Sequence, residues 1–96
     1  MKIIQAALAG TLESSDLMVK VYPQESGLDI VIDSEVMKQF GEQITTVVKE
    51  TLNAFNITHG QIIVNDKGAV DCVIRARMQA AIIRGTGNEE ISWGTL

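Results

Sequence analysis

Cysteine and histidine are almost missing from this 96-residue chain, which has one of each. A single cysteine excludes an internal disulfide framework, and a lone histidine beside it leaves too few ligands for a zinc site. Cations are also scarce: eight Lys and Arg stand against twelve Asp and Glu, a formal charge of −4 at pH 7. Those eight are scattered, which counts against a nucleic-acid partner, because phosphate binding needs clustered Lys and Arg. No apolar run is long enough to span a bilayer. The N-terminus imitates a secretory leader only weakly, since Gln5 interrupts the apolar patch between Lys2 and Ala7-Leu8-Ala9. It reads as a strand, and the chain is expected to be cytoplasmic and free of membrane contact. Hydrophobic residues at 46% with 21% charged are the composition of a globular chain. A domain this small buries only roughly 60–65% of its unfolded surface, so its stability is expected to be modest without partner subunits.

Periodicity sets the expected elements. Residues 3 to 12 alternate, with Ile4, Ala6, Leu8 and Leu12 on one side and Gln5, Ala7 and Thr11 on the other, the pattern of a half-buried strand. Gly10 could mark a bulge near its end. Residues 16 to 22 repeat the alternation, with Leu17, Val19 and Val21 inward. After a turn from Pro23 to Gly27, Leu28, Ile30 and Ile32 define a third strand, expected antiparallel to the second. The period changes at Ser34: Val36, Met37, Phe40, Ile44, Val47, Val48, Leu52 and Phe55 recur at helical steps. Asp33 or Ser34 is the expected cap, Glu35 suits the positive end of the dipole, and Asn56 is a left-handed stop. Gly41 costs the helix interior about 1 kcal/mol, which suggests a close neighbour there. Gln61 to Val64 form a short fourth strand, and Asn65-Asp66-Lys67-Gly68 turn and cap a second helix. Ala69, Cys72, Val73, Ala76, Ala80 and Ile83 are its expected buried stripe, and Gly85 with Gly87 its end. The order β-β-β-α-β-α implies an α+β fold, a mainly antiparallel sheet of about four strands with two helices packed on one face. Residues 1–87 form the domain, and 88–96, with Ile91, Trp93 and Leu96, read as a flexible tail.

Between the first two strands lies Gly10-Thr11-Leu12-Glu13-Ser14-Ser15-Asp16-Leu17, a hairpin turn that lifts two hydroxyls and two carboxylates into water. On the residues alone this is an exposed serine on a turn, and Ser and Asp are common in turns for backbone reasons. A serine hydrolase would need a base and an oxyanion hole. His59 lies in a loop before a strand and reads as a solvated residue with no third member beside it. Cys72 falls on the expected apolar stripe, where a free thiol behaves as a small hydrophobe. Arg75 and Arg77 read as a solvated helix face, with a grip on a partner or on phosphates as the alternative.

Ala9-Gly10-Thr11-Leu12-Glu13-Ser14-x-Asp16 resembles the attachment motif of the citrate lyase acyl carrier protein family, the gamma subunit of that enzyme. The likeness continues through Lys38-Gln39-Phe40-Gly41 and reappears in Asp66-Lys67-Gly68-Ala69, Asp71-Cys72 and Arg75-Ala76-Arg77, so it covers most of the chain to about Ile83. Ser15 departs from it, standing where the family is expected to have glycine. The resemblance implies that Ser14 carries a covalent phosphoribosyl-dephospho-coenzyme A arm through a phosphodiester. The arm's thiol would then carry acetyl and citryl thioesters between an alpha (transferase) and a beta (lyase) subunit, with net conversion of citrate to acetate and oxaloacetate. A separate prosthetic-group transferase would attach the arm, and the chain itself would be a non-catalytic carrier with no metal. Glu13 and Asp16 are expected to repel the arm's phosphates and keep it mobile. Ordinary acyl carriers instead place an Asp-Ser-Leu at a helix start, whereas here the order is Ser15-Asp16-Leu17 in a hairpin. The competing reading is a non-covalent adaptor subunit that uses the hairpin as a docking edge.

Overall fold

The computed structural model describes residues 1–87; the tail from residue 88 onward lies outside the described residues. Strands β1 (Ala7–Gly10), β2 (Leu17–Tyr22) and β3 (Leu28–Ser34) precede helix α1 (Met37–Ala54), strand β4 (Gly60–Asp66) and helix α2 (Asp71–Thr86). The α+β class and the element order are those the periodicity implies. The sheet order is β1-β2-β4-β3. β1 and β4 both pair antiparallel with β2, while β3 pairs parallel with β4. The third strand therefore does not lie against the second, as expected from sequence, because β4 inserts between them. The reason is the crossover: parallel neighbours need a dozen or more connecting residues, usually a helix, and β3–α1–β4 supplies one.

Register builds the core. Ala9, Val19, Val64 and Ile32 form one row across the sheet, and Ala7, Val21, Ile62 and Ile30 the next. These rows face the helices; α2 packs on β1 and β2, α1 on β3, and the helices on each other. Leu17, Val19, Val21, Ile62 and Val64 are completely or almost completely buried, and each such side chain contributes about 1.5–3 kcal/mol on burial. Period two holds in β1, but its face is opposite to the expected one. Ala9 is buried and Ala7 half-buried, whereas Ile4, Leu8 and Leu12 are more than half exposed. Small side chains let the helix approach, and the larger ones are turned to the open face.

The helix stripe in α1 is as read from Ile44 to Leu52, joined by Gly41 and Thr51. Met37 and Phe40 are exposed instead. Gly41 lies beneath the Met37 thioether of the preceding turn. No side chain caps α1, whose N-cap is Val36; Ser34 belongs to β3 and its hydroxyl accepts from the Val36 N–H at 3.1 Å. Asn56 takes the expected left-handed conformation, with φ 54°. In α2 the buried residues are Ile74, Met78, Ala81, Ile82, Ile83 and Gly85. Of the expected stripe Ile83 is buried, Ala69, Val73 and Ala80 pack partly buried against the core, and Cys72 and Ala76 are exposed instead. Apolar residues occur on nearly every side of this helix, so periodicity alone could not choose its buried face. Gly87 ends α2 in a left-handed cap, while Gly85 lies within the helix.

At Gly85 the second helix approaches the sheet closely. A Cβ there would stand 2.6 Å from the Val21 Cγ2 and 3.3 Å from two Ile3 carbons. Both neighbours are buried and cannot swing away. Overpacking of this kind costs about 1–3 kcal/mol, against roughly 1 kcal/mol gained in helix propensity. Gly85→Ala is therefore expected to lose about 1 kcal/mol in urea unfolding, and Gly85→Ala/Val21→Ala to cost less than the sum of its single changes. A fully additive double variant would contradict the close approach.

Candidate functional site

Residues 11–16 connect β1 to β2 at one end of the sheet. The Asp16 N–H donates to the Glu13 carbonyl at 3.2 Å, closing a β-turn with Ser14 and Ser15 at its centre. Ser15 takes φ 64°, a left-handed value for which glycine is the usual residue at the third position of a turn. Below the turn the Thr11 N–H donates to the Leu17 carbonyl at 3.1 Å. Gly10 pairs with Met18 at φ 95°, where a Cβ would run into the Leu17 carbonyl oxygen, so the entry to the turn requires glycine.

Two anchors hold this loop. The first is the Asp16 carboxylate. Arg77 grips it in two-pronged fashion, Nε to Oδ1 at 3.1 Å and Nη2 to Oδ2 at 3.0 Å, while the Thr11 hydroxyl donates to Oδ2 at 2.7 Å and the Leu17 N–H to Oδ1 at 2.8 Å. These interactions, the Arg77 bonds foremost and then Thr11, hold the carboxyl down at about 2 against the opposing effect of burial. The second anchor is an extension of the β2–β4 pairing. The Ser15 N–H donates to the Lys67 carbonyl and the Lys67 N–H to the Asp16 carbonyl, both at 2.9 Å. Lys67 is itself fixed by buried Asp66, which accepts from the Ser34 hydroxyl at 2.8 Å and from the Gly68 and Ala69 N–H groups at 3.0 and 2.9 Å. Asp66 thus organises the segment before α2 rather than capping the helix, whose N-cap is Val70 with no side-chain bond.

What remains above the anchors is a short crown in which Leu12, Glu13, Ser14 and Ser15 are exposed. The Ser14 hydroxyl has no hydrogen-bond partner among the described residues, and nothing covers it. An exposed, unpartnered hydroxyl on backbone pinned from two sides fits a covalently attached group, because a modifying enzyme can reach it.

The other candidates are elsewhere or differently employed. His59 precedes β4 at its opposite end, with its Nδ1 2.8 Å from the Thr58 hydroxyl. Seven strand steps, about 23 Å, separate it from Asp66 at the turn end of β4. Cys72 is exposed, so the expectation that it packs in the core is wrong. Arg77 is not a solvated-face residue but the partner of Asp16, and Arg75 is exposed. That pair also corrects the charge argument at the turn: Asp16 is neutralised by Arg77, which leaves Glu13 as the exposed carboxylate of the crown. The Arg77–Asp16 contact spans 61 residues and no local pattern signals it. The glycine expected at residue 15 was the one sequence clue to the left-handed backbone there.

The depressed Asp16 value fixes the sign of an acid effect. Its native carboxyl titrates below the ordinary 3.8, so the stability it contributes is complete above about pH 4 and is lost as pH falls towards about 2. Asp16→Asn is expected to be about 1 kcal/mol less stable at neutral pH, allowing for the partial exposure of Arg77. The gap should narrow between pH 4 and 2 in urea titrations; a pH-independent gap would show that the carboxylate charge does not matter. Ser15→Gly should gain about 0.5 kcal/mol, since relief of left-handed strain slightly exceeds glycine's entropic cost.

Residues 4–85 match the family described as malonate decarboxylase delta subunit. Curated relatives described as citrate lyase acyl carrier protein align end to end. The protein of Pectobacterium carotovorum is 60% identical over 96 residues, covering 100% of both chains. That of an Enterobacter species is 58% identical, covering 100% of this chain and 99% of its own. That of Rhodopseudomonas palustris is 48% identical with the same coverage. Among solved structures, a chain of a Pseudomonas malonate decarboxylase hetero-tetramer, crystallised with malonate, superimposes with a TM-score of 0.73. It covers 83% of this chain and 82% of that one at 23% identity, a likeness of fold alone. Joined to the turn geometry, identities of 48–60% along the whole length place the chain in the citrate lyase acyl carrier protein family.

Proposed function

We propose that this chain is the acyl carrier subunit of a citrate lyase, and that Ser14 is the attachment point of a phosphoribosyl-dephospho-coenzyme A arm. The observation that carries the reading is the Ser14 hydroxyl, exposed and without a hydrogen-bond partner among the described residues, on a turn anchored by Arg77 and Lys67. The descriptions of the full-length relatives support the enzyme, and the hetero-tetrameric setting of the Pseudomonas relative supports work inside a complex. When bound, the arm supplies a terminal thiol for acyl thioesters. The chain's own residues do something simpler: they fix the root of the tether.

Ser14 offers the oxygen for a phosphodiester. Asp16 is engaged by Arg77 and His59 lies at the far end of β4, so neither is placed to take the Ser14 proton. Ser15 is held by its own N–H to Lys67 and stands one residue away from that oxygen. Tethering then makes each encounter with the transferase (alpha) and lyase (beta) subunits intramolecular, at an effective concentration of order mM. The site of action is the cytoplasm, and no described helix is long and apolar enough to cross a membrane.

Ser14→Ala removes an exposed, unbonded hydroxyl and should change unfolding free energy by less than about 0.5 kcal/mol. Protein isolated from a citrate-fermenting host should carry the arm's mass on the Ser14 peptide. The variant should lack that mass and fail to support citrate cleavage by the other subunits. An unmodified wild-type peptide from an active complex would favour the adaptor reading, and an adduct on Ser15 would move the site by one residue.

A further inference from the structure

At the same end of the sheet as Ser14, an apolar cleft of about 370 Å³ opens between the first turns of α1 and α2. Val36, Phe40 and Ile44 form one wall, and Ala69, Val70 and Ile74 the other. Neither the fold nor the turn accounts for it. Phe40 is 50% exposed and Val70 62%, so two large apolar side chains stand at its mouth although burial would favour them inside. The volume lies in the range of small-molecule sites.

We propose that this cleft seats the nucleobase of the prosthetic arm. The inference rests on the assignment of that arm to Ser14 and adds where its root lies. The first argument is position. The Ser15 N–H bonds the Lys67 carbonyl, and the residues that follow, Gly68 to Val70, line the cleft, so its near edge is within about 10 Å of the turn along the chain. The second is the order of groups in the arm. Its thiol must remain free to reach other subunits, so the portion that stays beside the carrier is the ribosyl and nucleoside end. The third is chemistry. A purine has two π faces and a polar edge. The exposed Phe40 ring gives an aromatic surface for stacking, and the facing valine and isoleucine side chains complete an apolar slot.

Polar groups at the rim suit the polar edge. Gln43 Nε2 donates to both Asp71 carboxylate oxygens at 2.9 and 3.0 Å, which leaves the Gln43 carbonyl and the remaining Asp71 lone pairs as acceptors for an exocyclic amine. Lys67 Nζ sits 3.0 Å from exposed Glu35, next to cleft residue Val36, so the charge at this rim is already paired. Seating the base would hold the first part of the arm against the carrier and leave the pantetheine part to swing.

Methyl- and amide-resolved NMR of the full chain, bare and arm-bearing, tests this, with intact mass and a Ser14 peptide establishing the adduct first. The expected result is a shift of the Ile44 and Ile74 methyls and of the Ala69 and Val70 amides on loading, with cross-relaxation between base protons and the Phe40 ring. Phe40→Ala and Val70→Ser, both at exposed positions, should each return those signals towards their bare positions while the adduct mass stays. Perturbation confined to residues 11–16 and 67 in a verified adduct would overturn the proposal and leave the attachment reading intact. Cleft shifts that arise only when partner subunits are added would overturn it in favour of a protein side chain as occupant. Absence of any adduct from native protein would sink the attachment reading and this one with it.

Discussion

One carboxylate ties the presentation turn to the rest of the molecule. Asp16 accepts from Arg77 twice, from Thr11 and from the Leu17 N–H, and so joins both legs of the turn to α2. The alternatives at this position are poor. An unpaired acid in a half-buried setting would lose solvation without return, and a neutral residue would leave Arg77 without its partner. Ser15 meanwhile holds a left-handed backbone that disfavours the turn by about 1 kcal/mol. The charge-assisted bonds to Asp16 are of comparable size even after solvent screening, so they offset the strain and fix the crown in one conformation.

That anchorage depends on the order of strands. β4 runs between β2 and β3 and ends at Asp66, where its backbone is handed directly to the turn through Lys67. Asp66 also bonds Ser34, the last residue of β3, so the ends of three strands and the turn are fastened at one place. The parallel β3–β4 pair is what brings Ser34 and Asp66 opposite each other. With β3 against β2, the arrangement expected from simple hairpin succession, Asp66 would have lost that neighbour. The strand order thus decides which residues the turn is fastened to.

Much of this was legible in the chain. Alternation located β2 and the inward Leu17, Val19 and Val21, and helical steps located the buried run from Ile44 to Leu52, because in both cases large apolar residues occur on one face only. Where apolar residues occupy several faces the pattern loses its phase, which is why the expected stripe of α2 included Cys72 and left out Ile74. In β1 the rule that large side chains are buried failed, since tight packing against α2 selects Ala7 and Ala9. The turn and its exposed serine followed from residue types. Its rigidity did not, because Arg77 and Lys67 come from positions that only the folded chain brings near. The strand-helix-strand run after residue 28 was itself the sign of a parallel crossover, and it outweighs the preference of successive strands for hairpins.

If Ser14 is the attachment point, as proposed, the anchorage of the crown bears on how a hairpin could serve where ordinary acyl carriers use a helix start. A flexible tip three residues from each anchor would wander on the order of 10 Å, from the end-to-end scaling of a free chain. The volume searched by anything fastened to it would grow steeply with that wander, and effective concentration at a partner site falls with the volume. Here the bonds to Lys67 and Asp16 reach into the turn itself, leaving Ser14 one residue from a fixed backbone position. An arm attached there, as proposed, would swing from that oxygen. On the proposed reading, a short, strained and well-anchored turn is in this respect equivalent to a helix end: each would give a small domain a fixed origin for a long tether.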